Sequence, residues 1–303
     1  MRLGFLTSCL PDESLEQIAG WAGRNGFAAL EIAAWPAGDP RRHAVTHLDV
    51  TEFTTADAHR TRAMLAGHGV TASALGYYEN QLEADPERRS ANHRHLLACL
   101  EAAAQLEIGV VGTFVGRDLT RTVEQNLELA AEVFTPLVKR ADDLGVTLAV
   151  ENCPMPSWHP DGYPGNLAYS PELWQRLAEF GLRLFFDPSH LPGLGIDPVR
   201  ALREHSGLVA AVQAKDVETF PELRDRYGFH GPALGRAPGD RGWWRYRIPG
   251  LGQLDWAGLL AVLAEAGYRG LISVEHEDPV WSGENERVRR GLLIARDTLA
   301  PQL

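Results

Sequence analysis

Cysteine is scarce in this chain. Cys9, Cys99 and Cys153 are an odd number, lie far apart and form no C-x-x-C pair. That argues against both a disulfide framework and a thiolate zinc site. Positive charge is also short: 29 Lys+Arg stand against 40 Asp+Glu, a net charge of −11. A duplex-binding protein needs a basic face to displace counterions, so neither nucleic acid nor an anionic membrane is expected as a partner. A local arginine cluster could still hold a small anion. No run of about 18 apolar residues occurs, so no membrane-spanning helix is expected. Residues 1–7 are apolar for too short a stretch to be a secretory signal before Asp12 and Glu13. The expected compartment is a reducing cytoplasm. There is no low-complexity tract and no Pro/Ser-rich linker, so residues 1–303 are expected to form one domain.

What is present suits a large folded core: 45% of the 303 residues are hydrophobic and 23% charged, an ordinary globular balance. Short β-type runs at 2–7, 28–33, 70–75, 108–113, 146–151, 182–187, 208–213 and 270–275 alternate with helical patterns. The helices are predicted at 14–25, 55–68, 86–106, 122–144, 170–180, 197–205, 255–267 and 283–299. Ser14 with Gln17, Ser170 before Pro171, Asp197 before Pro198, and Asp255 read as helix starts. Gly26, Gly69, Gly145, Gly181 and Gly267 read as helix stops just before strands. Strands alternating with helices call for a parallel sheet. Eight such units predict an α/β fold, a single (β/α)8 TIM barrel. A doubly wound sheet competes, but no Gly-rich turn follows the first strand. One connection is long: residues 217–254 hold Trp243, Trp244, Tyr246 and six arginines (Arg224, Arg226, Arg236, Arg241, Arg245, Arg247). A loop of that length is usually functional. An oligomer arm and a lid over substrate are both open, and they are compatible.

Barrel enzymes carry their chemistry at the carboxyl ends of the strands. Here strand five ends in Glu151, strand six in Asp187, strand seven in Gln213 and strand eight in Glu275. Ala149, Ala211 and Ser273 lie two residues earlier on the same faces. If the polar ends converge, three carboxylates raise one another's pKa unless a cation resolves the repulsion. All-oxygen donors suit Mn²⁺, Mg²⁺ or Co²⁺. The plain alternative is a set of unrelated capping or salt-bridging residues.

These residues resemble the xylose-isomerase-like barrel superfamily of sugar isomerases and epimerases, a likeness that covers essentially the whole chain. Glu151, Asp187-Pro188-Ser189-His190 and Glu275 match its pattern, as do Ala214-Lys215-Asp216, Pro249-Gly250-Leu251-Gly252 and Ser273-Val274-Glu275-His276-Glu277. Gln213 stands where the family has a histidine, a departure that bears on which metal binds and how tightly. The resemblance implies a divalent metal, foremost Mn²⁺ with Mg²⁺, Co²⁺ or Zn²⁺ as alternatives, held by Glu151, Asp187, Gln213 and Glu275. It implies that Glu151 and Glu275 move a proton next to a carbonyl through an enediolate, and that His190 contacts a substrate oxygen.

Glu31 and Trp35, at the end of strand two, are weaker candidates for sugar contact, with core packing the alternative for Trp35. Tyr77 and Tyr78 read as core or rim packing. Lys215 could face the substrate, or act as a Schiff-base lysine, if strand seven continues. Arg245 and Arg247 could grip a phosphate or carboxylate, or pair with acids such as Asp240. His93 and His95 read as a solvated helix face. Cys153 lacks an evident activating base.

The expected function is a metal-dependent sugar isomerase or epimerase. The alternative is β-elimination at the same site, a dehydratase or a lyase cleaving a 3-keto-glycoside. Endonuclease-like DNA repair lacks its additional histidines and basic face. A non-catalytic sugar-binding or partner subunit is the remote alternative. The expected partner is a small sugar or glycoside. A homo-oligomer is compatible with aromatic patches on the outer helices, such as that at Trp21.

Overall fold

Hydrophobic strand residues followed by helices, six of them with side-chain N-caps, build the chain in regular order. The computed structural model describes residues 1–41, 44–234 and 241–303, so Arg236 and Asp240 lie outside the described residues. The elements are β1 (Arg2–Leu6), α1 (Leu15–Arg24), β2 (Ala29–Ala33), α2 (Thr55–Gly67), β3 (Thr71–Gly76), α3 (Pro86–Gln105), β4 (Val110–Thr113), α4 (Val123–Asp143) and β5 (Thr147–Glu151). They continue as α5 (Pro171–Ala178), β6 (Arg183–Phe186), α6 (Pro198–His205), β7 (Val209–Ala214), β8 (Asp216–Thr219), α7 (Pro221–Tyr227), β9 (Trp244–Arg247), α8 (Trp256–Glu265), β10 (Leu271–Val274) and α9 (Asn285–Leu299). Eight parallel strands close in the order β1-β10-β7-β6-β5-β4-β3-β2. This is the predicted TIM barrel, with each barrel strand within about two residues of its predicted span.

Local chemistry sets the helix ends. Ser14 and Gln17 form a reciprocal capping box on α1, and Asp197 and Asp255 accept from backbone N–H groups of α6 and α8. Ser170 departs from expectation: its side chain makes no cap bond. The five glycines read as helix stops all have φ between 69° and 87°, where a side chain would be strained.

The outer layer packs the helices on the sheet. Phe5 of β1 meets Trp21 of α1 edge-on at 5.9 Å, and Trp21 stacks on Phe27 at 5.8 Å. Trp21 is therefore core, and the aromatic surface patch expected there is absent.

Among its described residues, the long connection after β7 contains two strands and a short helix. β8 and β9 pair antiparallel, Asp216 opposite Arg247 and Thr219 opposite Trp244. The two halves of this ribbon are far apart in sequence, so no local pattern announces it. Successive residues of β9 alternate faces. Trp244 and Tyr246 share one face, with rings 5.0 Å apart.

Among the described residues, no helix is long and apolar enough to cross a membrane.

Candidate active site

Three of the four polar strand ends come together at the carboxyl ends of the barrel strands; Gln213 does not end its strand but is the penultimate residue of β7 and bonds in a deeper layer. Glu151 is the last residue of β5, while Asp187 and Glu275 immediately follow β6 and β10. Donor atoms of these three carboxylates lie within 4.8 Å of one another. Glu151 and Asp187 are buried, Glu275 nearly so. Their backbones are pinned by two asparagines. Asn152 donates to the Asp187 carbonyl (2.8 Å) and accepts the Asp187 N–H (2.7 Å). Asn166 donates to the carbonyls of Glu151 (3.2 Å) and Cys153 (2.7 Å). Neither asparagine stands out in the sequence. Only the position of Asn152, directly after the last residue of β5, could have flagged it.

Lys215 supplies the opposite charge. It follows β7 and buries its ammonium 2.8 Å from Glu275 Oε2, 2.9 Å from Glu277 Oε2 and 3.2 Å from Asp187 Oδ2. The Tyr246 ring lies 4.3 Å from that ammonium. His190, on the turn after β6, places Nε2 2.9 Å from Glu151 Oε1 and 3.3 Å from Asp187 Oδ2. Its Nδ1 is 2.8 Å from the Tyr246 hydroxyl. Tyr246 thus reaches the barrel mouth from the insertion and touches both cationic groups. Glu277 and Tyr246 are site residues that strand-end reading missed.

The electrostatics follow from burial against these pairings. Burial pushes the Glu275 and Glu151 carboxyls up, with Lys215 and His190 opposing only in part. Asp187 is also raised by burial, but Lys215 and His190 outweigh it and hold it below the usual carboxylate range. Burial would strip Lys215 of its proton, yet Glu275, Glu277 and Asp187 hold it charged. A charged lysine is a poor Schiff-base nucleophile, so the structure favours a counter-charge role for Lys215. Burial likewise opposes charge on His190, and Cys153, Tyr246 and Asp187 override it.

A second polar layer lies deeper. Gln213 is inside β7, level with Ser273 and two residues below Glu275. Its Nε2 donates to Glu31 Oε1 (3.2 Å) and to the Tyr78 hydroxyl (3.0 Å), and that hydroxyl donates to Glu31 as well. Glu31 lies at the centre of β2 rather than at its end, fully buried. Burial outweighs its hydrogen bonds from Tyr78, Ser273 and Gln213 and lifts its carboxyl to about 7. Gly112 makes this layer possible: a Cβ there would sit 2.4 Å from the Tyr78 hydroxyl. The role of Tyr78 had no sequence signal, because its tyrosine pair reads equally well as packing. The amide oxygen of Gln213 is buried without a hydrogen bond, whereas Asp187 Oδ2 faces Lys215 and His190. Three clustered carboxylates and a buried amide oxygen without a donor fit a hard divalent cation.

The remaining candidates are placed as follows. Trp35 is buried, its Nε1 donating to Glu79 (3.0 Å) and its ring 5.9 Å from that of Tyr78. Arg245 pairs with Glu218, and Arg247 with both Glu218 and Asp278 at 2.7–2.8 Å. Both arginines thus have acid partners other than Asp240, which lies outside the described residues. His93 and His95 are not a solvated face. Their Nε2 atoms approach the Gln81 and Ala34 carbonyls at 2.8 and 2.7 Å, tying α3 to the barrel rim.

Comparison with known proteins agrees with this architecture. An uncharacterized protein of Bacillus subtilis (strain 168), YfiH, is 27% identical over 319 residues, covering 94% of this chain and 95% of that one. The D-psicose 3-epimerase of Clostridium cellulolyticum H10, solved with D-tagatose, superposes with a TM-score of 0.68 at 15% identity, covering 100% and 99% of the two chains. The IolI protein, solved with a bound zinc atom, gives a TM-score of 0.68 at 18% identity, covering 100% and 99%. The family model for the xylose isomerase-like TIM barrel matches residues 20–298. A match of that extent makes this chain a member of the xylose isomerase-like TIM-barrel family.

Proposed function

We propose that the protein is a divalent-metal-dependent sugar isomerase or epimerase that moves a proton next to a carbonyl. One observation carries the reading: Glu151 and Glu275, from strands separated by β6 and β7, bring their carboxylates together beside Asp187. Two carboxyls facing one small space can take a proton from one side of a carbon and return it on the other. Burial raises both, which moves them toward the pH at which they work best as base and acid.

The charge balance supports a cation. Glu151, Asp187, Glu275 and Glu277 face Lys215 and His190, which leaves negative charge in excess. Glu151, Asp187, Glu275 and the Gln213 amide oxygen would hold the ion, Mn²⁺ foremost. A divalent cation in such a site polarises a carbonyl and stabilises the charge that develops on its oxygen. His190, oriented by Tyr246, is placed to hold a substrate hydroxyl beside Glu151.

β-Elimination is the second reading, and one observation favours it. Lys215 and the His190–Tyr246 pair put protonated groups beside the two glutamates, and an expelled oxygen needs such a proton.

Metal analysis and proton exchange test the proposal. Native protein should carry about one divalent ion per chain, and Asp187→Ala should lose it. Keto-sugars incubated in D₂O should exchange the proton next to the carbonyl, with isomer or eliminated product separating the two readings. Glu151→Gln and Glu275→Gln should each lower turnover by roughly 10²–10⁴. Absence of metal after reconstitution with Mn²⁺ would overturn the metal mechanism.

A further inference from the structure

Cys153 has no part in the three-carboxylate cluster, and no partner for it is evident in the sequence. The fold supplies two. Donor atoms of Glu151, Cys153 and His190 lie within 4.8 Å of one another, and all three residues are buried. Their placement follows from the chain. Cys153 comes two residues after Glu151, the spacing that returns to the same face of an extended chain. Pro154 favours an extended backbone at the residue before it, and the Asn166 amide holds the Cys153 carbonyl at 2.7 Å. His190 arrives from the turn after β6, with Nε2 2.9 Å from Glu151 Oε1.

This set differs in kind from the carboxylates. Glu151, Asp187 and Glu275 offer oxygen alone, whereas Glu151, Cys153 and His190 offer one oxygen, one sulfur and one ring nitrogen. Oxygen sets suit Mn²⁺ and Mg²⁺, while thiolate and imidazole suit zinc. Zinc sits about 2.3 Å from sulfur and about 2.0–2.1 Å from nitrogen, and three protein ligands leave its fourth position open. A carboxylate and a thiolate together neutralise a divalent ion. A ligating histidine has its second ring nitrogen held by an outer partner, and the Tyr246 hydroxyl lies 2.8 Å from His190 Nδ1. His190 also lines a cavity of about 260 Å³ between the loop after β5 and the insertion, which gives an ion its way in.

We propose that Glu151, Cys153 and His190 form a second cation site, selective for a thiophilic divalent ion of the zinc class, and that filling it withdraws Glu151 from proton transfer. As the sulfur–metal bond forms, the Cys153 thiol gives its proton to solvent, and His190 gives up any proton on Nε2. The ion keeps its oxidation state. The withdrawal of Glu151 rests on the proton-transfer reading, and the site itself does not.

Co²⁺ stands in for zinc with a visible signature. Titrated into the metal-free full chain, it should raise a thiolate-to-cobalt charge-transfer band in the near ultraviolet, and Zn²⁺ added afterwards should bleach that band. In Cys153→Ser and Cys153→Ala the band should vanish, with circular dichroism showing that each variant is folded. Asp187→Ala, which removes a ligand of the oxygen set only, should keep it. Zn²⁺ affinity, read by competition with a chromophoric chelator, should fall about tenfold or more in Cys153→Ser, since even an outer-shell partner is worth that much. Exchange of keto-sugar protons in D₂O by the Mn²⁺-loaded chain should drop about tenfold or more with one equivalent of Zn²⁺, whereas Cys153→Ser should keep most of its own zinc-free rate. No band in the wild type, or a band that survives both Cys153 substitutions, overturns the site. A band with exchange untouched by zinc overturns the withdrawal of Glu151. A band with no exchange under any condition sinks the proton-transfer reading and leaves the site standing.

Discussion

At the scale of single residues, the barrel mouth is a problem of unlike charges held close together. Lys215, with its side chain 2% exposed, is the central cation among Asp187, Glu275 and Glu277. Removing one partner of a buried ion network leaves the others uncompensated, at about 3–5 kcal/mol. Lys215→Met is therefore expected to lose about that much stability to urea in EDTA and to regain part of it in Mn²⁺. Equal stability of variant and wild type in EDTA would show that the lysine is not the counter-charge. Tyr78→Phe strips a hydroxyl from Glu31 and Gln213, and urea unfolding should show a loss of about 1–3 kcal/mol. Glu151, Asp187 and Glu275 were legible in the sequence because strand ends in this architecture have a known use. Glu31, Tyr78 and Gln213 meet only across the barrel interior, through a contact no spacing encodes. Lys215 was legible as a position but not as a role, since its partners Glu275 and Glu277 come from a different strand.

At the scale of elements, the connections hold as much design as the strands. Asp216 opens the insertion ribbon. Its carboxylate accepts from the N–H groups of Val217 (2.8 Å), Gly250 (3.0 Å) and Leu254 (3.0 Å) and from the Trp256 indole (3.0 Å). One side chain thus ties both ends of the insertion to α8. The segments Ala214-Lys215-Asp216 and Pro249-Gly250-Leu251-Gly252 were recognisable in the sequence, and this wrapping is their physical reason. A Cβ at Gly252 would sit 2.1 Å from Asp216 Oδ1. Asp216→Asn would turn one acceptor into a donor facing donors. It should cost about 3 kcal/mol or more and shift the tryptophan emission of the ribbon. A second tie lies in the loop before α4. Burial raises the Asp118 carboxyl, but bonds from Thr120 and the Arg121 charge outweigh it and hold it below the usual carboxylate range. A depressed carboxyl stabilises the fold above its unfolded pKa of about 4 and loses that contribution as pH falls through the folded value. Wild type should therefore exceed Asp118→Asn in Tm at pH 7, by about 1–2 kcal/mol of stability, and the gap should close toward pH 3. A gap that persists on acidification would contradict this.

At the scale of the whole molecule, eight strands and eight helices were readable because each unit repeats the same alternation with its own start and stop residues. The ribbon of β8 and β9 was not, since its pairing spans a distance in sequence that no local rule covers. The proposed metal binding belongs to this scale too, because the candidate donors come from different barrel strands. At about 100 times Kd, a bound ion adds about 2.7 kcal/mol, and a chain of this size gains about 2 °C per kcal/mol. Melting in Mn²⁺ should therefore exceed melting in EDTA by about 5 °C, and Asp187→Ala should abolish the difference. The ring closes by pairing Arg2 with Leu271 and Phe5 with Val274. During synthesis the first strand emerges long before its partner, and both it and β7 keep an open edge until the last strand arrives. Glu275 comes directly after that strand, so the final turn of the ring and the last carboxylate of the cluster are delivered together. A nascent chain that has made Glu151, Asp187 and Lys215 still lacks the third carboxylate of the cluster, and on the proposed mechanism it gains activity only when the ring is shut.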